Sequence, residues 1–235
     1  MSPTEEGELT ASQYDAMAAP YAACNRVNAA NAYYERPATK AMLGEVRGAR
    51  LLEIGCGAGE LTDFLVSAGA RVTAVDVSAG MLALAREKLG GKAELLQADL
   101  HDGLFFLADG EVDLVVASLV LHYLEDWGPV LDEVHRVLRP GGHFVFSTHH
   151  PTWDGRNHSP GDYFKKLQVT EEWSIARAGF VIEQLDEPEP LAELQEVDAA
   201  SYEELCRFPF FLLFRLRKQV PPAEPRGQLR PGAAR

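Results

Sequence analysis

The run Leu51-Leu-Glu-Ile-Gly-Cys-Gly-Ala-Gly59 constrains this chain more than any other feature. A short apolar stretch passes directly into three alternate glycines, and a helix-forming segment starts near Glu60. Glycine takes positive φ at no steric cost and lets a ligand approach the main chain closely. A buried strand that ends in such a turn and resumes as a helix is the opening unit of an open α/β sheet, whose ligands bind at the carboxyl ends of the strands.

The rhythm downstream extends that unit. From Ala49, short apolar runs alternate with amphipathic stretches, as βα units do. Strands are expected at 50–55, 71–76, 93–98, 112–118 and 142–148. Helices are expected at 59–68, at 79–89 under a Ser78 N-cap, and at 127–138, closed by Arg139-Pro140-Gly141-Gly142. No helix is expected between the third and fourth strands. Further on, Val181-Ile-Glu-Gln-Leu and Phe210-Phe-Leu-Leu-Phe-Arg-Leu leave only 191–205 for a crossover, so the last strand should run antiparallel.

Before the first strand, Tyr14, Met17, Tyr21, Val27, Tyr33, Tyr34, Met42 and Leu43 recur at helical spacing, and 11–46 reads as two helices. Residues 1–10 are polar and 220–235 are rich in Pro and Gly, so both ends are expected to be disordered around a single domain at 11–219.

Composition removes several classes. With 235 residues, 46% of them hydrophobic, the chain can bury one substantial core. A formal net charge of −13 would repel a phosphate backbone, which makes nucleic acid a poor partner. Cys24, Cys56 and Cys206 form no Cys-x-x-Cys pair and suit a reducing compartment. The acidic N-terminus lacks a signal-peptide pattern, and no apolar run approaches the roughly 18 residues of a membrane span. A cytoplasmic protein with no membrane partner is the expectation, and the oligomeric state is not encoded in any motif.

A glycine turn alone suits a dinucleotide, a nucleotide or S-adenosylmethionine (SAM). Its spacing here is Gly55-x-Gly57-x-Gly59, not Gly-x-Gly-x-x-Gly, and no Gly-Lys-Ser/Thr follows. Glu53, two residues ahead, would set a carboxylate against a pyrophosphate, whereas SAM carries a sulfonium and an ammonium and no phosphate. Asp76 ends the apolar run Val72-Thr-Ala-Val-Asp, where a carboxylate can take both hydroxyls of a ribose. Asp99 ends the next strand in Leu95-Leu-Gln-Ala-Asp-Leu100.

In this combination, roughly residues 45–150 resemble the class I SAM-dependent methyltransferases. The resemblance implies a Rossmann-like α/β fold: a seven-stranded, mostly parallel sheet with helices on both faces, a reversed last strand, and N-terminal helices over the cofactor. It implies that Glu53, Gly55, Gly57 and Gly59 hold the methionine part, that Asp76 binds the ribose and Asp99 the adenine amino group, and that Val77, Met81 and Leu100 are further cofactor contacts. The stretch Val115-Val-Ala-Ser-Leu-Val-Leu-His-Tyr-Leu124 resembles the family's fourth-strand segment, with Ser118 nearest the methyl group. It lacks the Asn/Asp-Pro-Pro-Tyr sequence of enzymes that methylate bases or glutamine.

Glu133-Val-His-Arg-Val-Leu-Arg-Pro-Gly-Gly142 is similar to the helix and turn of small-molecule methyltransferases. Ser12-Gln-Tyr-Asp15 and Asn31-Ala-Tyr-Tyr-Glu-Arg-Pro37 resemble the cover helices of bacterial members, where the tyrosines serve the cofactor or only helix packing. By the same comparison 149–179 would cover the acceptor, and it is abbreviated between Trp173 and Ala178.

The implied reaction is methyl transfer from SAM to a small-molecule acceptor by in-line displacement, which needs positioning and no metal. His122 and His150, near the ends of the fourth and fifth strands, are the candidate catalytic residues. With an ordinary imidazole pKa near 6.5, His122 would make turnover fall in acid. His143, His149, His150 and His158 lack the close helical pair of a zinc site. Two rival readings stay open: a SAM-binding regulatory partner without turnover, and an NAD-dependent dehydrogenase, which Glu53 and the glycine spacing disfavour.

Overall fold

The structure of the protein, a computed structural model, describes residues 11–151 and 175–220, with side chains from residue 15 onward. The expectations for 1–10, for the tail beyond residue 220, and for most of the acceptor-cover segment, including Trp173 and His158, lie outside the described residues.

Seven strands form one sheet: β1 (Arg50–Ile54), β2 (Arg71–Asp76), β3 (Glu94–Gln97), β4 (Val112–Ser118), β5 (Leu138–His149), β6 (Phe180–Asp186) and β7 (Phe211–Lys218). Their order is β3-β2-β1-β4-β5-β7-β6. The first five pair in parallel, and β7 runs antiparallel to both β5 and β6. The expected reversal is therefore present, with the short α6 (Glu193–Val197) and α7 (Ala199–Arg207) filling the only connection available before it.

Because helices cover both faces, central strands lose the alternation of a half-exposed strand. Val115, Val116, Phe144, Val145 and Phe146 are all fully buried. One face packs against Val130, Leu131, Val134 and Val137 of α5 (Gly128–Val137). The other packs against Leu61 and Leu65 of α3 (Glu60–Ser67) and Leu82 of α4 (Ala79–Leu89). Each such side chain contributes about 1.5–3 kcal/mol on burial. Ser78 caps α4 as expected, its Oγ accepting from the Met81 N–H at 3.1 Å.

Two stretches depart from the expected outline. Arg139-Pro140-Gly141-Gly142 does end α5, but the chain is already in β5, where Leu138 pairs with Val112 before the register shifts between Val112 and Leu114. The irregular register thus lets the helix stop and the strand start coincide. A Cβ on Gly142 would sit 2.9 Å from the Arg139 carbonyl and 3.0 Å from that of Asp113, so only glycine fits this crossing.

The N-terminal cover is α1 (Ala11–Val27), then a π-helical turn at Asn31–Glu35 running into α2 (Arg36–Leu43). Its last turn is held by β7: Arg215 Nη1 donates to the carbonyls of Met42 at 2.8 Å and Leu43 at 3.1 Å, supplying partners that a helix end lacks. Tyr34 is buried, its hydroxyl accepts from the Phe210 N–H at 3.3 Å, and its ring meets Phe211 edge-on at 5.2 Å, so this tyrosine packs the cover down.

Glu53 fastens α3 to β1. Its side chain is buried and accepts from Thr62 Oγ1 at 2.7 Å. Burial pushes its pKa up to about 8, with Asp76 adding to the rise and the Thr62 bond opposing it. Between the ordinary carboxyl value of about 4.3 and that value, the folded chain keeps a proton that the unfolded chain releases, so this group's contribution to stability shrinks as pH rises. Thermal melts from pH 5 to 8 should show wild type losing stability relative to Glu53→Gln, whose amide oxygen can still accept from Thr62. Parallel curves for the two proteins would mean that Glu53 is ionised in the fold.

Candidate active site

The three glycines of the turn all have positive φ: 70° at Gly55, 52° at Gly57 and 81° at Gly59. The amides of Gly55 and Cys56 both donate to the Val75 carbonyl, at 2.8 and 3.0 Å, tying the start of the turn to β2. Asp76 ties down its middle, with Oδ2 accepting from the Gly57 N–H at 2.8 Å and Oδ1 from the Ser78 N–H at 2.9 Å. Burial raises the pKa of Asp76, and these amide donors oppose the rise. A Cβ on Gly55 would lie 2.2 Å from Val120 Cγ2, and one on Gly59 would crowd Ala85 and Leu89 at 3.3 Å. Gly57 alone faces open space, where a ligand could approach.

Glu53 corrects part of the case against a dinucleotide. Its pKa of about 8 leaves it mostly protonated at neutral pH, so it does not repel a pyrophosphate by charge. The exclusion rests instead on the glycine spacing and on the adjoining cleft. That cleft, of about 410 Å³, is lined by Val77, Gln97, Ala98, Asp99, Asp102, Gly103, Phe105 and Phe106. It offers two carboxylates, an amide and two aromatic rings, and no lysine or arginine for a phosphate.

Val77 and Asp99 stand in this cleft as the sequence suggests, whereas Leu100 and Met81 pack inward, Met81 being fully buried. Asp99 caps a 3-10 turn at Leu100–Asp102, and the His101 N–H, then its ring, holds its carboxyl below the usual carboxylate range. Phe105, 83% exposed, escapes the sequence reading, although Gly103-Leu-Phe-Phe106 soon after Asp99 carries the signal. Asp15 of α1 enters the sequence reading only as the last letter of Ser12-Gln-Tyr-Asp15. Its Oδ1 accepts from Ser78 Oγ at 2.5 Å and the Gly80 N–H at 2.9 Å, so the cover docks on the loop after Asp76.

At the end of β4 the Ser118 hydroxyl donates to Glu35 Oε1 at 2.8 Å. Leu119 follows with φ 53°, and a 3-10 turn at Leu121–Tyr123 carries His122. The His122 ring stacks on His149 at 4.2 Å and tilts against Tyr123 at 4.2 Å. Its Nδ1 is buried and has no hydrogen-bond partner among the described residues. Burial, then the charge of His149, pushes its pKa down to about 3, which corrects the expected acid limb near 6.5: this ring stays neutral across working pH.

His150 turns elsewhere, with Nε2 2.9 Å from Glu187 Oε1 and its backbone N–H on the Phe210 carbonyl at 2.8 Å. His143 lies 3.1 Å from Glu183. Among the described residues no group of three or more His, Cys, Asp or Glu is placed to hold a metal, and no helix is long and apolar enough to cross a membrane.

Comparison with known proteins agrees with this geometry. Residues 52–146 match the family described as a methyltransferase domain. The malonyl-[acyl-carrier protein] O-methyltransferase of Pectobacterium atrosepticum is 32% identical over 162 residues, covering 69% of this chain and 59% of that protein. The demethylmenaquinone methyltransferase of Clavibacter sepedonicus is 34% identical over 148 residues, 60% of this chain and 59% of that one. The chain thus spans less than two thirds of the length of these curated relatives. The crystal structure of an S-adenosylmethionine dependent methyltransferase from Mesorhizobium loti superposes with a TM-score of 0.66 at 33% identity, covering 83% of this chain and 100% of that one. Because that counterpart is matched over its whole length, the kinship extends beyond a shared fold: the chain belongs to the class I SAM-dependent methyltransferases.

Proposed function

We propose that the chain transfers the methyl group of SAM to a small-molecule acceptor. The observation that carries this is the junction of β1 and β2, where Asp76 holds an open glycine turn beside a cleft furnished with carboxylates and aromatic rings and free of cationic side chains. That edge fits a nucleoside bearing positive charge and no phosphate. Gly55, Gly57 and Gly59, with Glu53 beneath them, would hold the methionine part. Asp76 would bind the ribose, since a carboxylate has about four acceptor positions and two amides occupy only two of them. Asp99 would take the adenine amino group with Val77 and Phe105 beside the ring, Met81 and Leu100 shaping the floor from beneath.

SAM supplies an activated methyl group. An acceptor lone pair forms a bond to the methyl carbon as the carbon–sulfur bond breaks, leaving S-adenosylhomocysteine and a protonated acceptor that loses its proton. What this chain adds is orientation and exclusion of water. The backbone at Ser118 would flank the methyl group. His122, on the same edge, carries a buried Nδ1 with no partner among the described residues and would orient the acceptor by a hydrogen bond. A ring with a pKa of about 3 is too weak a base to take the proton fully. His150, engaged by Glu187, would brace the end of β5 and stand outside the reaction. The relatives are named for a carrier-protein malonyl group and a quinone precursor, so they support transfer to a metabolite and leave its class to experiment. The net charge of −13 speaks against a nucleic-acid acceptor.

Titration calorimetry should show SAM and S-adenosylhomocysteine binding in the micromolar range while NADH and ATP give no heat, and incubation with labelled SAM and cell metabolites should yield a labelled product. Tight NADH binding with no SAM heat would overturn the assignment. Asp76→Ala should weaken SAM binding roughly 10- to 100-fold, as expected for a charge-assisted hydrogen bond, with the fold retained. An unchanged dissociation constant would reduce Asp76 to a brace for the loop. Once an acceptor is in hand, His122→Ala should lower kcat by about 10- to 100-fold, the scale of one or two hydrogen bonds to the reacting group. The wild-type pH profile should show no inflection near 6.5 that this substitution removes; finding one would show that the ring titrates.

A further inference from the structure

A buried acid from the cover meets the ends of β4 and β5. Glu35, the last residue of the π-helical turn, is 2% exposed, and its Oε1 accepts three hydroxyls: Ser147 Oγ at 2.6 Å, Thr39 Oγ1 at 2.7 Å and Ser118 Oγ at 2.8 Å. Ser118 and Ser147 are partners in the parallel pairing of β4 with β5. Ser147 Oγ in turn accepts from the Leu119 N–H at 2.9 Å. Leu119 is the one described non-glycine residue with positive φ. A left-handed, branched residue is strained, and such strain persists only where its surroundings enforce it. Here the enforcing bond runs from Leu119 through Ser147 to Glu35.

What that bend aims is the site itself. The next residue, Val120, places Cγ2 against Gly55 of the glycine turn, and His122 follows on the 3-10 turn that Leu121 anchors in the core. Apolar side chains of similar volume would often stabilise a core as well as a buried polar cluster does, so what such a cluster adds is a specified geometry. A π-helical turn in an otherwise α-helical segment is a further irregularity of the kind found at functional sites.

We propose that Glu35 is a positioning residue of the methyl-transfer site: through Ser147 and Ser118 it holds Leu119 in its left-handed bend, and so sets Val120 against the glycine turn and His122 toward the acceptor. This rests on the functional reading above for what the turn positions, and on the hydrogen bonds alone for how. Cover and catalytic edge then form one unit, because the residue that closes the cover also bends the strand end.

The test compares Glu35→Leu, Ser147→Ala and Thr39→Ala in the full chain. Thr39 meets the same oxygen but lies one turn along the cover, so its loss should lower the melting temperature without releasing the bend. Amide hydrogen exchange at Leu119 should become on the order of 10-fold faster in Glu35→Leu, which has no acceptor for the hydroxyls, and in Ser147→Ala, and stay at the wild-type rate in Thr39→Ala. In the same two variants the His122 ring, followed by NMR in histidine-labelled protein, should begin to titrate toward the ordinary imidazole range as it loses its seat against His149 and Tyr123. If exchange and titration stay at wild-type values in both variants, or if Thr39→Ala reproduces them at an equal loss of melting temperature, the proposal is wrong. Should Glu35→Leu fail to fold, Ser147→Ala alone decides. SAM calorimetry on the wild-type chain is read separately: its failure would sink the functional reading, while the exchange rates would still decide whether Glu35 holds the bend.

Discussion

A methyl group of Val120 occupies the place where a side chain on Gly55 would stand, and the site is arranged round that contact. It brings the turn after β1 and the turn after β4 together at the point where strand order changes direction, with β2 and β3 on one side of β1 and β4 and β5 on the other. Such a switch point leaves a crevice at the carboxyl ends of the strands. Any residue but glycine at 55 would push the two turns apart, so the constraint on this glycine comes from another strand as much as from its own φ.

The crevice is acidic, and its acids are managed without cationic partners. Glu53 keeps a proton at neutral pH and leans on a threonine hydroxyl, Asp76 leans on two backbone amides, and Glu35 gathers three hydroxyls. A buried acid costs free energy unless hydrogen bonds compensate it. Filling the same positions with Lys or Arg would satisfy the acids and make a phosphate site. Leaving them with neutral donors sets no fixed positive charge against the cofactor, which suits a ligand whose charges are a sulfonium and an ammonium.

What the sequence disclosed follows from how information is stored along it. The strands, the reversal of β7, the Ser78 cap and Asp76 at the end of β2 were legible because period and local spacing encode burial and turn geometry. The early start of β5 was hidden, since Pro140 and two glycines read as a stop although the strand begins before them, its pairing with β4 passing from Leu138 to His143. Glu35 stands in the sequence only as one letter of a motif, because the two of its three partners that matter to the site lie 83 and 112 residues away and no periodicity links them. The depressed pKa of His122 and the turning of His150 toward Glu187, 37 residues on, are consequences of packing that residue type alone does not carry.

The long-range bonds also explain why the N-terminal cover and the reversed end of the sheet belong to one structure. Arg215 on β7 holds the end of α2, the hydroxyl of Tyr34 holds the start of β7, and the Tyr33 carbonyl accepts from Leu191 at 2.7 Å. From β7 the ladder runs to β5, from β5 to β4, and from β4 back to the cover through Ser118 and Glu35. The circuit is closed, so a shift of the cover must either break a bond to β7 or drag Glu35 off the two serines. Asp15, at the front of the cover, joins a different part of the fold: it accepts from the Ser78 hydroxyl and the Gly80 N–H, which fastens α1 to the first turn of α4, where Gly80 also lies against Ala18. The cover is therefore fastened at both ends, its front beside Asp76 and its base at the ends of β4 and β5.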